Sequence, residues 1–291
     1  MNTALIGIIG GSGLYQMDML SDAREHDLDT PFGRPSGIIV TGRVHDVPVA
    51  FLPRHGRGHG LIPSEVPYRA NIHALKQLGV RYIISVSAVG SLREEYRPLD
   101  VVLPDQFVDL TRSRAGTFFG DGAVAHVSMA NPICAAVADA VARAVNELRA
   151  TDDIRLHRGG TYVCIEGPQF STQAESHWYR GMGGAVVGMT NMPEAKLARE
   201  AQIAYATMCM VTDFDCWHPR EPHVTADMAI SNLMRNAERA QHIVAAAIRL
   251  IGTETPCSIA HDALTCALVT QPASMAATTK QRLALILGIE G

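Results

Sequence analysis

Runs of β-branched and apolar residues recur along the chain at Leu5–Ile9, Gly37–Val40, Val47–Leu52, Tyr82–Val86, Val101–Leu103, Gly160–Ile165, Ala185–Val187 and Ile203–Val211, and each predicts a strand. Several are apolar at successive positions instead of alternating, so both faces of those strands must be covered. A sheet with helices on each side meets that demand, which predicts an α/β fold with substantial parallel pairing.

Between these runs the apolar period lengthens. Asn131-Pro132 sets a capping side chain before a proline at the first helical position, ahead of a helical pattern from Ile133 to Leu148. Thr172 and Glu175 have the spacing of a capping box, and Thr225 opens a long helix reaching about Ile251. The pattern breaks between Gly252 and Pro256, after which one or two shorter helices are expected. No linker rich in Pro, Gly or Ser divides the sequence and no repeat is visible, so residues 1–291 are expected to form a single domain, with about 252–291 as its C-terminal helical extension.

With 291 residues, 47% of them hydrophobic, the chain can bury a substantial core. A formal net charge of -4 gives no overall attraction to nucleic acid, so a bound anion must be captured by a local site. That favours a small anion over a polyanion. The six cysteines form no CxxC pair and no framework spacing, which fits a reducing compartment. The opening MNTALIGIIGGSG lacks the basic region and uninterrupted apolar core of a signal peptide, and no apolar run of ~18 residues follows. A cytoplasmic location without membrane contact is expected.

Five segments carry candidate chemistry. Gly10-Gly11-Ser12-Gly13 follows a buried strand, and its turn amides and hydroxyl suit a phosphate, although a plain tight turn is the alternative. It fits neither GxGxxG, since Gln16 takes the last glycine position, nor GxSxG, since Leu14 follows Gly13. Arg54-His55-Gly56-Arg57-Gly58-His59-Gly60 offers a planar fork of donors and histidines for an anion, against a bland basic loop; its glycines argue against a helical zinc pair. Ser87, in Ser85–Leu92, stands at a strand end where ligands of α/β sheets sit. Phe170, in Glu166–Glu175, is placed to stack on a flat base or to join the core. Asp213 and Asp215 are two apart and face one way if their strand continues; such a pair can bind metal, hold an exocyclic amine or share a proton with a ring nitrogen.

In this order the segments resemble the 5'-methylthioadenosine phosphorylases, the trimeric branch of the purine nucleoside phosphorylase family. The likeness runs from Ile6 to about Ile251 through IGIIGGSGL, DTPFGRPS, RHGRGHGLIPSEVPYRANIHALK, AVGSLREE, IEGPQFSTQAES, GMTNMPEAKLARE and TDFDCW. The resemblance implies the nucleoside phosphorylase fold, a central mixed and partly barrel-like sheet flanked by helices. It implies a phosphate site of Ser12, Arg54, His55, Ser87, Ala88 and Thr190, with Met189 against the ribose and Phe170 and Ser171 beside the base. Asp213 and Asp215 are then catalytic and face N7 and the 6-amino edge, while Ala226, Ala229 and Ile230 line a 5' pocket closed by His126 of a neighbouring subunit in a homotrimer. Alanine at positions 226 and 229 replaces the bulkier valines of the animal enzymes. Phosphate enters as co-substrate, and neither metal nor organic cofactor is implied. Carboxylates at 213 and 215 favour adenine over hypoxanthine, because a 6-oxo group presents an acceptor to an acceptor. The rival readings are a 6-oxopurine nucleoside phosphorylase, a hydrolytic nucleosidase, and a nucleoside-binding protein without catalysis.

Overall fold

The computed structural model describes residues 5–11, 19–149, 152–219 and 225–289. Its first half contains β1 (Ile6–Gly10), β2 (Ser21–His26), β3 (Ile39–Val44), β4 (Val47–Pro53), α1 (Tyr68–Gln77), β5 (Tyr82–Ser91), β6 (Val101–Leu103) and β7 (Gln106–Asp109). There follow α2 (Ala135–Leu148), β8 (Leu156–Arg158), β9 (Thr161–Cys164), α3 (Gln173–Gly181), β10 (Gly184–Gly188), α4 (Asn191–Glu200), β11 (Ala204–Asp213), α5 (Ala226–Glu254), two short 3-10 turns and α6 (Ala277–Leu287).

Every residue of β1, β10 and β11 is buried, as their unbroken apolar character requires. One apolar cluster packs α1, α4 and α6 against the sheet through residues such as Ile72, Leu75, Leu197 and Leu283, and another packs α2 and α5 through Val137, Val141, Ile243 and Ile248. The two clusters supply the helical layers that the strand pattern demanded.

The sheet is mixed. Its main path runs β2-β3-β4-β1-β5-β10-β9-β7, and a branch adds β11, β6 and β8. β1 pairs parallel to β4 and to β5, and β11 lies parallel on the other side of β5. β10 pairs antiparallel to the end of β5. The fork at β5 is the form that the expected partial barrel takes.

Two expectations change. Asn131-Pro132 does not start α2: the helix begins at Ala135 after an extended Cys134, because the Cys134 N–H is tied to the Tyr205 carbonyl of β11 at 2.8 Å. Asp213 also ends its strand, and the ladder with β5 slips between Val211 and Asp213, so the two acidic residues do not share a continuing strand face. The capping box is present, with the Thr172 side chain accepting from the Glu175 N–H and the Glu175 carboxylate accepting from the Thr172 N–H. α5 begins directly after Thr225.

Candidate active site

The fork leaves a gap in the ladder. β1 accompanies β5 only as far as Ile9 opposite Ser85, and β10 joins at Val187 opposite Gly90 and Val186 opposite Ser91. Among the described strands, none pairs with Val86–Val89 on that side, while β11 covers the other side throughout. A cavity of about 260 Å³ opens along this strip. Strand ends converge on it, as expected where a sheet changes its order. β1 leads into Gly11, β4 into Arg54 and His55, β10 into Met189 and Thr190, and β11 into Asp213 and Asp215; all of these line the cavity.

At one end stands Arg54, which is 2% exposed. Its Nε donates to Glu194 Oε2 at 2.7 Å, and its Nη2 donates to Glu194 Oε1 at 3.1 Å and to Ser85 Oγ at 2.6 Å. Nη1 donates to the Val86 carbonyl at 3.0 Å. Among the described residues, one of the five N–H groups of the guanidinium, on Nη1, has no partner. Burial works against the charge, but Glu194 outweighs it and holds the guanidinium above its ordinary pKa. Glu194 is itself 2% exposed and also accepts from the hydroxyls of Ser85 at 2.7 Å and Tyr205 at 2.9 Å. Arg54 is thus a fixed, charge-balanced donor.

Antiparallel pairing carries β10 back alongside β5, which sets Thr190 beside Ser87 with hydroxyl oxygens 3.3 Å apart. Behind Ser87 the fully buried Tyr162 brings its phenol to 3.2 Å. Burial pushes the Tyr162 pKa up, so the phenol keeps its hydrogen. When Tyr162 donates to Ser87, the Ser87 hydroxyl is left to donate to the Ala88 carbonyl at 3.3 Å, to Thr190 or to a ligand. His55 completes this end, with Nδ1 at 2.9 Å from the Leu61 carbonyl; burial, then Arg54, lower its pKa to about 4.

At the opposite end Asp213 and Asp215 are 5% and 4% exposed. A turn, not a strand, brings them together. Asp215 adopts a left-handed φ of 52°, which aspartate tolerates, and donates its N–H to Asp213 Oδ1 at 2.8 Å. The Thr212 hydroxyl donates to Asp213 Oδ2 at 2.6 Å. Burial raises the pKa of both carboxyls. Among the described residues, Asp215 Oδ2 is buried with no hydrogen-bond partner of good geometry, although the hydroxyls of Ser171 and Ser176 face the same carboxyl. Phe170, Ser171, Ala88 and Met189 also line the cavity, and Phe170 is 43% exposed, so it stands outside the core that was its alternative place.

The remaining candidates are not brought there. Ala226 and Ile230 sit in the exposed first turns of α5, and that helix meets the cavity further along, at Ala237 and Ala240. His126 lies outside the cavity of its own chain. Ser12 and the Ala229 side chain fall outside the described residues. Glu194 and Tyr162 were not among the expected site residues, and His59 and Ser85 were named only as members of their segments. Among the described residues, no group of three or more His, Cys, Asp or Glu side chains is placed to hold a metal ion.

The chain as a whole has counterparts among known proteins. The model of the phosphorylase superfamily matches residues 5–249. The chain belongs to the phosphorylase superfamily. The S-methyl-5'-thioadenosine phosphorylase of Thermosynechococcus vestitus is 55% identical over 98% of this chain and 98% of its own length. A methylthioadenosine phosphorylase from an antarctic soil metagenomic library has a crystal structure that superposes with a TM-score of 0.95, at 62% identity over 98% of this chain and 99% of that one. A second superfamily structure, the methylthioadenosine phosphorylase of Schistosoma mansoni in complex with adenine, gives a TM-score of 0.82 at 36% identity over 98% of each chain.

Proposed function

We propose that the chain catalyses the reversible phosphorolysis of S-methyl-5'-thioadenosine to adenine and 5-methylthioribose 1-phosphate, a purine nucleoside phosphorylase reaction of salvage. The observation that supports the choice of base is the buried acidic pair at this end: Asp215 Oδ2 has no hydrogen-bond partner among the described residues beyond the nearby hydroxyls of Ser171 and Ser176, and it suits an N–H donor on the ligand. A 6-amino purine brings that donor. A 6-oxo purine sets oxygen against oxygen.

On this reading the ribose lies between the two ends, over Met189, with the base between Phe170 and the acidic turn. Phosphate sits against Arg54, His55, Ser87, Ala88 and Thr190, together with Ser12. As the bond from C1' to N9 breaks, the sugar becomes cationic, and the bound phosphate oxygen stabilises it and then bonds to C1'. The electron pair left on the base is neutralised by a proton at N7. The Asp213 carboxyl, with its pKa raised by burial, is placed to supply or share that proton. Phosphate is the co-substrate, and the reading requires neither metal nor organic cofactor.

The working form is a homotrimer in the cytoplasm, with His126 of one copy closing the cavity of the next. Three observations support it. His126 is held away from its own cavity by the C-terminal segment, where its N–H donates to the Ala267 carbonyl at 2.8 Å and the Ala125–Leu268 bridge lies alongside. The nearby Val124 and Val269 are apolar and exposed. All six cysteines are free, and no described helix is long and apolar enough to cross a membrane.

Initial rates with methylthioadenosine and methylthioinosine, at saturating phosphate, test the base assignment. The expected result is a strong preference for the adenine compound; equal rates, or a preference for the 6-oxo compound, would remove the proposed role of the acidic pair.

A further inference from the structure

The anion end of the cavity contains one group that does not behave as a donor. His55 Nδ1 lies 2.9 Å from the Leu61 carbonyl oxygen, and a carbonyl only accepts, so the ring hydrogen is on Nδ1. In a neutral imidazole the other nitrogen, Nε2, is then an acceptor. The ring is 8% exposed, lines the cavity and stacks on His59 with centroids 4.1 Å apart and planes at 17°.

Its surroundings keep it neutral. Burial is the largest influence against a second proton, and Arg54 and His59 oppose it as well. The Leu61 carbonyl favours it, and Glu194, the charged neighbour that favours it, is committed to Arg54. The ring gains its second proton only near pH 4. The other side chains at this end offer hydrogens: one N–H of Arg54 and the hydroxyls of Ser87 and Thr190, with Tyr162 behind them. A ligand that satisfies the set must accept from several directions and donate once.

We propose that His55 Nε2 receives the single hydrogen of HPO₄²⁻, so that the pocket selects this anion over a tetrahedral dianion that has no hydrogen to give. His55 is then a specificity residue that reads the protonation state of the nucleophile. Sulfate matches HPO₄²⁻ in shape and charge but sets a lone pair against Nε2. Leaving a buried acceptor so opposed weakens binding roughly 5- to 100-fold. This inference rests on the assignment of phosphate to this end of the cavity.

The test measures binding of inorganic phosphate and of sulfate to the full chain by calorimetry, at a pH where both are dianions, in the wild type and in His55→Gln. Phosphate is expected to bind at least about 5-fold more tightly to the wild type, and the ratio to fall toward unity in the variant, whose amide N–H can donate to sulfate. Sulfate within about threefold of phosphate in the wild type, or an unchanged ratio in His55→Gln, overturns the proposal. A second measurement on the wild type alone decides the matter if the variant does not fold. Sulfate affinity should rise as pH falls toward about 4, where His55 gains its second proton and becomes a donor, and a flat profile overturns the proposal. Failure of phosphate to support cleavage would count against the functional reading. Phosphorolysis accompanied by equal sulfate binding counts against this inference alone.

Discussion

Asp213 gives both carboxylate oxygens to the protein, one to the Thr212 hydroxyl and one to the Asp215 N–H, whereas among the described residues Asp215 Oδ2 has only the nearby hydroxyls of Ser171 and Ser176. On the proposed function, the first arrangement fixes a group that meets one atom of the base, and the second keeps an acceptor for the ligand. Asp213→Asn is therefore expected to cut turnover of the adenine nucleoside by at least ~10²-fold, read from kcat, because an amide cannot supply the proton. The same variant has a stability signature. Burial raises the Asp213 pKa in the folded state, so the carboxyl's contribution to stability is full below the unfolded value and is lost as pH rises through the folded one. Measured by Tm, Asp213→Asn should thus compare most favourably with the wild type at neutral pH and less favourably as pH falls. A difference that does not change with pH contradicts the buried, raised carboxyl. This acidic pair was legible in the sequence, because two carboxylates after an apolar strand are conspicuous. Glu194 was not: within NMPEAKLARE it has the surroundings of a surface helix residue, and only the fold brings it to Arg54, 140 residues away in sequence.

Elements were legible where burial made them apolar. The expected run Val101–Leu103 coincides with β6, and the runs corresponding to β1, β4, β10 and β11 differ from the strands only at their ends. β2 carries the sequence SDAREH and is exposed at nearly every position, so its apolar content announces nothing. β7 and β8 are short, and α1 and α4 begin without a side-chain cap hydrogen bond, which removed the signals on which their recognition would depend. The geometry of the acidic pair was hidden for a different reason. It depends on the slip between β11 and β5 and on a residue of β5 with no side chain. A Cβ on Gly90 would stand 3.0 Å from Asp213 Oδ1 and 3.3 Å from the Asp215 Cβ, so glycine lets the turn close over the strand.

For the whole molecule, the decisive feature is that β5 exchanges partners part-way along its length. Parallel neighbours deliver Gly11, Arg54 and Asp213 to one edge, and antiparallel β10 turns back to deliver Met189 and Thr190. Such a gathering of distant residues is invisible to local pattern and became legible only through the family resemblance. The assembly adds a further layer. If His126 serves a neighbouring copy, then mixing His126→Ala chains with Asp213→Asn chains in one oligomer creates sites that combine an intact Asp213 with an intact His126. Co-assembled variants should recover activity beyond the sum of the two alone; no recovery contradicts service in trans. The central claim is that bound phosphate, not water, takes the sugar. Its most direct test is to follow methylthioadenosine by phosphorus NMR, with adenine release measured in parallel, in the presence and absence of inorganic phosphate. The account predicts stoichiometric methylthioribose 1-phosphate and adenine, with no turnover when phosphate is withheld. Free methylthioribose formed without phosphate would contradict it.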